Sequence, residues 1–261
     1  MKAAVYTIYG PPEVTHIRDV AKPVPRAGEI LIRVRATTVN RTDCGFRSAQ
    51  YFVSRLFSGL FRPKNGILGC EFSGEVVEVG DAVSDFRMGD RVFGYDDNAF
   101  GCHAEYKVMA GQDAVAAIPD GMDYTVAAAM TEGSHYALCN IRAAKIKAGD
   151  TTMVYGATGS IGSAAVQLLK HFGAYVVAVV GTPHLELARS LGANEAIDYM
   201  TQDFRQTPRR FDFIFDAVGK RSFGQCRPLL KPKGVYISTE LGKRSENIFL
   251  VLTTPLWRGK R

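Results

Sequence analysis

Cysteine is scarce in this sequence, tryptophan is all but missing, and neither apolar residues nor charges of one sign collect into long runs. The 5 cysteines, Cys44, Cys70, Cys102, Cys139 and Cys226, are odd in number and form no C-x-x-C pair. That excludes a disulfide framework and a zinc ribbon, and free thiols in a reducing cytoplasm are the expectation. No apolar stretch approaches the roughly 18 residues of a membrane-spanning helix, so no membrane partner is expected. The start, Met1-Lys2-Ala3-Ala4-Val5-Tyr6, enters a strand pattern at once, with no n-region, h-region or cleavage site, which predicts a soluble, untargeted protein. Lys plus Arg (32) exceed Asp plus Glu (26), a net charge of +6. The basic residues are dispersed, the largest cluster being Arg258-Gly259-Lys260-Arg261. An anionic small ligand therefore explains the balance better than nucleic acid. What is present, 46% hydrophobic residues over 261 positions, is the composition of a globular chain of one large domain or two modest ones.

The first part reads as β-rich, with strand-like runs at Lys2–Ile8, Glu29–Val39, Ser73–Val79 and Arg91–Tyr95. Tyr51–Phe61 places Val53, Leu56, Phe57 and Leu60 at helical spacing, either as a core-packing helix or as an apolar flap over a substrate pocket. From about Asp120 the pattern changes. Tyr124–Ala144 is Ala-rich and helical. Strand and helix then alternate through Thr151–Tyr155, Gly162–Phe172, Tyr175–Val180, Leu185–Leu191, Ala196–Tyr199, Phe211–Phe215, Phe223–Leu230 and Val235–Thr239. Such alternation with nearly all-apolar strands predicts an α/β fold, a parallel sheet covered on both faces.

The segment Gly156-Ala157-Thr158-Gly159-Ser160-Ile161-Gly162 follows a strand and opens a helix. Its glycines allow a tight turn and close approach of a pyrophosphate to the free amides of a helix N-terminus. The spacing is GxxGxxG rather than GxGxxG, but the next strand stands where a βαβ unit requires it. At the end of that strand an NAD-preferring site carries an acid for the ribose hydroxyls. Here the residues are Val180-Gly181-Thr182-Pro183-His184. No acid stands there to repel a 2′-phosphate, and Thr182 can donate to one, which favours NADPH.

Further motifs are Gly69-Cys70-Glu71-Phe72-Ser73-Gly74-Glu75-Val76-Val77-Glu78-Val79-Gly80, Phe86-Arg87-Met88-Gly89-Asp90-Arg91-Val92, Leu191-Gly192-Ala193 and Phe213-Ile214-Phe215-Asp216-Ala217-Val218-Gly219. With the glycine turn, these resemble the medium-chain dehydrogenase/reductase superfamily, in its zinc-independent quinone oxidoreductase (zeta-crystallin-like) branch. The resemblance spans essentially the whole chain. It implies a GroES-like β-rich catalytic domain over 1–119, followed by a Rossmann doubly wound parallel-sheet domain over 120–261. Zinc-dependent members hold their metal where this chain has Asn40, Cys70 and, by ungapped placement, Met130, and they carry a cysteine-rich lobe missing here between Arg91 and Glu105. A catalytic zinc needs thiolates, imidazoles or carboxylates, so no metal is expected. Cys70 reads better as a buried small hydrophobe than as a reactive thiol.

Without a metal Lewis acid, hydride delivery to a self-activated acceptor, a quinone or an enone, is the chemistry most easily supported. The resemblance implies that Asn40, Thr42 and Arg47 form the catalytic set, Thr42 at the position of a proton-relay hydroxyl; Asp43 reads as bonding to loop amides. A Tyr common two residues before that Arg is Gly45 here. On the cofactor side it implies Ser134 against the nicotinamide, Thr182 and Tyr199 near the 2′-phosphate, and Ala217-Val218-Gly219 with Leu241 around the ribose and carboxamide. The basic residue usual after Thr182 is missing, unless His184 replaces it. The leading reading is an NADPH-dependent quinone or enone reductase acting as a homo-oligomer. The alternatives are a non-catalytic NADPH- or RNA-binding or structural protein on the same fold, and a zinc-type alcohol dehydrogenase with unusual ligands. Family members usually continue past Arg261, so a C-terminal truncation lacking the last Rossmann strand is a further expectation.

Overall fold

A computed structural model describes residues 1–49, 54–239 and 247, without the side chains of residues 54 and 57. The chain divides into two compact units, Met1–Glu132 and Gly133–Arg261.

In the first unit, β1 (Lys2–Val5) and β2 (His16–Asp19) pair as an antiparallel ribbon. A five-stranded antiparallel sheet follows, from β3 (Glu29–Thr37), β4 (Glu71–Val79), β5 (Arg91–Tyr95), β6 (Tyr106–Ala110) and β7 (Val115–Ala117), in the order β6-β3-β4-β5-β7. Alternation along β3 and β4 turns Ile30, Ile32, Phe72 and Val76 to one face, where they pack with Val92 and Met109. The connection from β3 to β4 carries α1 (Arg41–Ser48) and α2 (Ser54–Ser58). After β7 comes α3 (Tyr124–Ala128).

The second unit is built on five parallel strands. These are β8 (Thr151–Tyr155), β9 (Tyr175–Val180), β10 (Glu195–Asp198), β11 (Phe211–Asp216) and β12 (Leu230–Ser238), in the order β10-β9-β8-β11-β12. Both faces are covered. Val154, Val176, Ala178, Val180, Phe213 and Phe215 pack against α4 (Thr131–Ala144) and α5 (Ser160–His171). Met153, Tyr155, Val177, Val179 and Ile214 pack with Phe204 and with Phe223 of the short α7 (Phe223–Cys226) on the other face; α6 (Leu185–Ser190) connects β9 to β10. Burial on both faces is why these strands read as unbroken apolar runs. Strand order reverses at β8, between β9 and β11, and that is where open α/β sheets bind ligands, beyond the strands' carboxyl ends. The expected α/β architecture is what the chain adopts.

Some elements differ from the sequence expectation. The helical run Tyr124–Ala144 is broken at Ala129–Met130. The Glu71 carboxylate accepts from the Thr131 hydroxyl (2.8 Å) and the Glu132 amide (2.7 Å), so a distant side chain caps a new helix start. Phe223–Leu230 is helical only to Leu229, its last turn tightened to 3-10. Strands β2, β6 and β7 were not expected, and β2 is exposed at every residue, which leaves no alternation to read. Of the Tyr51–Phe61 segment, Tyr51–Val53 lie outside the described residues and Ser54–Ser58 is helical.

Candidate functional site

The turn from β8 into α5 has the geometry a phosphate needs. Gly156 takes φ +77°, and a Cβ there would stand 2.7 Å from Val218 Cγ1. A Cβ on Gly162 would stand 2.1 Å from the Gly156 carbonyl oxygen, so only glycine lets the helix start this close beneath the turn. Gly159 is the N-cap and brings no side-chain cap. The first-turn amides, with Ser160, Ile161 and Gly162, are therefore open to an anion. Ala157 is buried under the turn while Thr158 is half-exposed.

The turn forms one wall of a cleft of about 370 Å³, shared with Gly181 and His184 after β9, Tyr199 after β10, and Val218, Lys220 and Arg221 after β11. This convergence of strand ends fits a dinucleotide. Thr182 lies beside it, but its hydroxyl donates to Asp198 Oδ2 at 2.5 Å, so in this arrangement it has no proton left for a phosphate. Asp198 also accepts the Met200 amide at 2.9 Å. These bonds, Thr182's first, hold its carboxyl below the usual range. An ionised acid thus does stand near the end of β9, supplied by β10, where the linear sequence shows none. Tyr199 is 48% exposed, its ring 6.0 Å from that of Tyr155.

The loop Ala217–Arg221 is organised by Asp216, which is fully buried. Its carboxylate accepts the amides of Val218 (3.2 Å) and Arg221 (2.6 Å). Burial raises its pKa and these amide bonds oppose the rise. Ala217 donates to the Tyr155 carbonyl at 3.0 Å, tying the loop to β8, and Gly219 turns with φ +65°. Ser134 is half-buried in α4. Leu241 lies outside the described residues.

In the first unit Asn40 caps α1. Its Oδ1 accepts the Asp43 amide at 2.9 Å, while Asp43 accepts the amides of Asn40 (3.2 Å) and Gly69 (2.9 Å). Asn40 Nδ2 donates to Cys70 Sγ (3.0 Å) and to Glu71 (3.3 Å), so the whole carboxamide is engaged. Thr42 donates from its hydroxyl to Glu132. Burial, then the carboxylates of Glu71 and Asp43, push the Glu132 carboxyl up, against the Thr42 bond. Burial also raises Asp43, opposed first by His103. Arg47 makes no hydrogen bond to Asn40 or Thr42: its Nε donates to the Gly10 carbonyl at 3.4 Å, and it lines a cavity of about 660 Å³ with Asp43, Leu68 and His103. A second cavity, about 500 Å³, is lined by Phe46, Leu56, Leu68 and Phe100. Leu56 in that wall favours the flap reading of its segment.

The zinc positions can be tested by their donors. They hold a carboxamide engaged in capping, a fully buried thiol that accepts an amide N–H and whose pKa burial pushes up, and a thioether at Met130 that is 40% exposed. That set does not fit a zinc ion.

Sequence reasoning missed Glu132, Lys220 and Arg221 as members of these clusters, and gave Glu71 a part only as a metal ligand beside Cys70 in the alternative zinc reading. Lys220-Arg221 had a local signal, a basic pair directly after a strand end beside the glycine turn. Glu132 had none, because its partner Thr42 is 90 residues away.

A β-rich unit joined to a parallel nucleotide-binding sheet defines an alcohol dehydrogenase-like chain, and comparison with known proteins agrees. The alcohol dehydrogenase GroES-like domain matches residues 26–120 and the zinc-binding dehydrogenase family matches residues 160–258. A quinone oxidoreductase of Pseudomonas aeruginosa is 31% identical, over 91% of this chain and 72% of its own. A chloroplastic NADPH-dependent alkenal/one oxidoreductase of Arabidopsis thaliana is 32% identical, over 84% of this chain and 58% of its own. The solved quinone oxidoreductase of Coxiella burnetii superposes with a TM-score of 0.87 at 28% identity, covering 100% of this chain and 81% of that one. The chain belongs to the zinc-independent quinone oxidoreductase branch of the medium-chain dehydrogenase/reductase superfamily.

Proposed function

We propose that this chain is a zinc-independent, NADPH-dependent oxidoreductase that reduces a quinone or an α,β-unsaturated carbonyl compound. The observation that carries the reading is the glycine turn over the uncapped start of α5, with the ends of β9, β10 and β11 gathered around it. The names of the Pseudomonas and Arabidopsis relatives support the acceptor class, and the latter supports NADPH. When bound, a reduced nicotinamide supplies the hydride.

The residues of the chain supply the rest. The turn Gly156–Gly162 holds the pyrophosphate. Ala217, Val218, Gly219 and Ser134 position the nicotinamide end, and Thr182 and Tyr199 bound the adenosine end. Asn40 fixes the start of α1, and with it Thr42. The Thr42 proton goes to Glu132 in this arrangement; burial favours the protonated form of Glu132, and when that carboxyl donates to Thr42 in turn, the Thr42 hydroxyl is free to donate to the oxygen that gains charge as the acceptor is reduced. Such an acceptor carries its own electron sink, so a hydrogen-bond donor serves where an unactivated alcohol would need a metal. Arg47 borders the larger cavity of the first unit, where it braces the Gly10 loop.

NADPH oxidation followed by stopped flow against a panel of quinones and enones tests the reading, and turnover on at least one class is expected. No turnover, with no change in NADPH fluorescence on mixing, overturns it. The unpaired thiols support a cytoplasmic location. Homo-oligomerisation, implied by the family resemblance, is checked by light scattering.

A further inference from the structure

We infer that Arg221, with Lys220 beside it, is the cationic group that selects a 2′-phosphorylated dinucleotide over its unphosphorylated counterpart. The inference rests on reading the cleft at the glycine turn as the cofactor site, and names the residue that sets its specificity.

A phosphate dianion on the adenosine ribose needs a cation, and the segment expected to supply one does not. Gly181-Thr182-Pro183-His184 contains neither Lys nor Arg, the Thr182 hydroxyl is committed to Asp198, and Asp198 itself would repel the dianion. The opposing wall has the missing charge. Lys220 and Arg221 line the same cleft as Gly181 and Tyr199, and none of its lining residues is acidic.

Arg221 is built into place rather than left free on the surface. Its backbone amide is held by Asp216, and its guanidinium donates to the Tyr155 hydroxyl. The group lies over the Tyr155 ring at 4.3 Å from the centroid and over Phe204 at 5.3 Å. Its Nε is buried without a hydrogen-bond partner. Nearby carboxylates are otherwise occupied. Asp203 is paired with Arg205, Asp216 accepts loop amides, and Arg221 makes no salt bridge among the described residues. An aromatic-clamped guanidinium without an ion-pair partner is pre-organised for a planar, forked contact with phosphate oxygens. The pyrophosphate has the α5 amides, so this cation is left for the phosphate at the ends of β9 and β10.

Calorimetric titration with NADPH, NADH, adenosine 2′,5′-bisphosphate and 5′-ADP tests this on the unaltered chain and on Arg221→Met, Arg221→Lys and Lys220→Met. Arg221→Met keeps a stem to pack on Tyr155 and loses the charge. It is expected to weaken NADPH and the 2′,5′-bisphosphate by about ten- to a hundredfold, the loss of a hydrogen bond to a charged group. NADH and 5′-ADP are expected to change by less than about threefold. Arg221→Lys should recover part of the loss, and Lys220→Met should show a smaller one. Equal weakening of all four ligands by Arg221→Met would mean a purely structural role and overturn the inference, as would an unchanged NADPH preference. If the unaltered chain binds neither dinucleotide, the cofactor reading falls and this falls with it. If it binds NADPH and Arg221→Met leaves the preference intact, only this inference falls.

Discussion

Removing the Glu71 side chain is expected to loosen both the start of α1 and the start of α4, because one buried carboxylate serves both. Glu71 is 3% exposed, and its carboxylate accepts from four donors: the Thr38 and Thr131 hydroxyls, the Asn40 carboxamide and the Glu132 amide. In Glu71→Ala the two hydroxyls can rotate to other acceptors, but the Asn40 Nδ2 and the Glu132 N–H are fixed by the capping of α1 and the start of α4. Leaving the buried Glu132 N–H unpaired costs about 1–3 kcal/mol, and the part-buried Asn40 amide, which keeps its bond to Cys70, loses about 0.5–1.5 kcal/mol more, so the pair costs about 2–4 kcal/mol. Relief from burying a carboxylate offsets part of that, so a net loss of about 1–3 kcal/mol is expected. Glu71→Gln retains one carbonyl oxygen for Glu132 and sets an amide N–H₂ against that of Asn40; about 1–2 kcal/mol is expected, below the alanine variant. Because the chain has two units, one global transition does not isolate the effect. Amide hydrogen exchange over Arg41–Ser48 and Glu71–Val79, alongside urea unfolding, does so. Faster exchange in those segments, with exchange in β8 and β9 unchanged, is the expected pattern. A loss under about 0.5 kcal/mol in Glu71→Ala, or unchanged protection of α1, would refute the account of Glu71 as the hub.

Gly162→Ala sets the gain in helix propensity, about 0.8–1.0 kcal/mol, against an overpacking cost of about 1–3 kcal/mol. Stability should fall by no more than about 2 kcal/mol while dinucleotide affinity falls further, because the displaced atom is the Gly156 carbonyl in the turn; unchanged affinity by calorimetry would refute the cradle. Glu132 has a folded-state pKa raised above its unfolded value, chiefly by burial, so the native state keeps a proton that the unfolded state has lost. Stability therefore declines as pH rises from the unfolded carboxyl pKa through the folded one and is level above it. Glu132→Gln should lose that decline in urea midpoints measured across the window, and parallel profiles for both proteins would refute the assignment. A thiol reagent should reach exposed Cys139 first and half-buried Cys44 more slowly. Cys102 and Cys226, both pushed up to about 12 by burial, should react only after denaturant is added, together with Cys70; native labelling of Cys70 would contradict its burial.

What the sequence showed was what depends on neighbours along the chain. Thr151–Tyr155 and Tyr175–Val180 were legible to the residue because a strand buried on both faces is an unbroken apolar run between turn residues. The glycine turn was legible because the steric demand on Gly156 and Gly162 is local. Charge and hydrogen-bond partners depend instead on which elements the topology makes neighbours. Thr182 looked like a free donor, and the acid that takes its proton lies 16 residues on, at the end of the strand paired with β9. The break at Ala129–Met130 is set by Glu71, 60 residues earlier, with no glycine or proline to announce it. The missing cation after Thr182 raised doubt about NADPH for the same reason. The loop after β9 is one wall among several, whereas the cleft gathers the ends of four parallel strands, and a charge on any of them acts on the same few ångströms of ligand. A specificity residue can therefore move from one loop to another without changing the cleft's net chemistry. If so, Arg221→Met combined with a basic residue in place of His184 should restore NADPH preference from the opposite wall. Failure of that double variant to regain 2′,5′-bisphosphate affinity, with 5′-ADP binding intact, would show that the position of the cation matters as much as its charge.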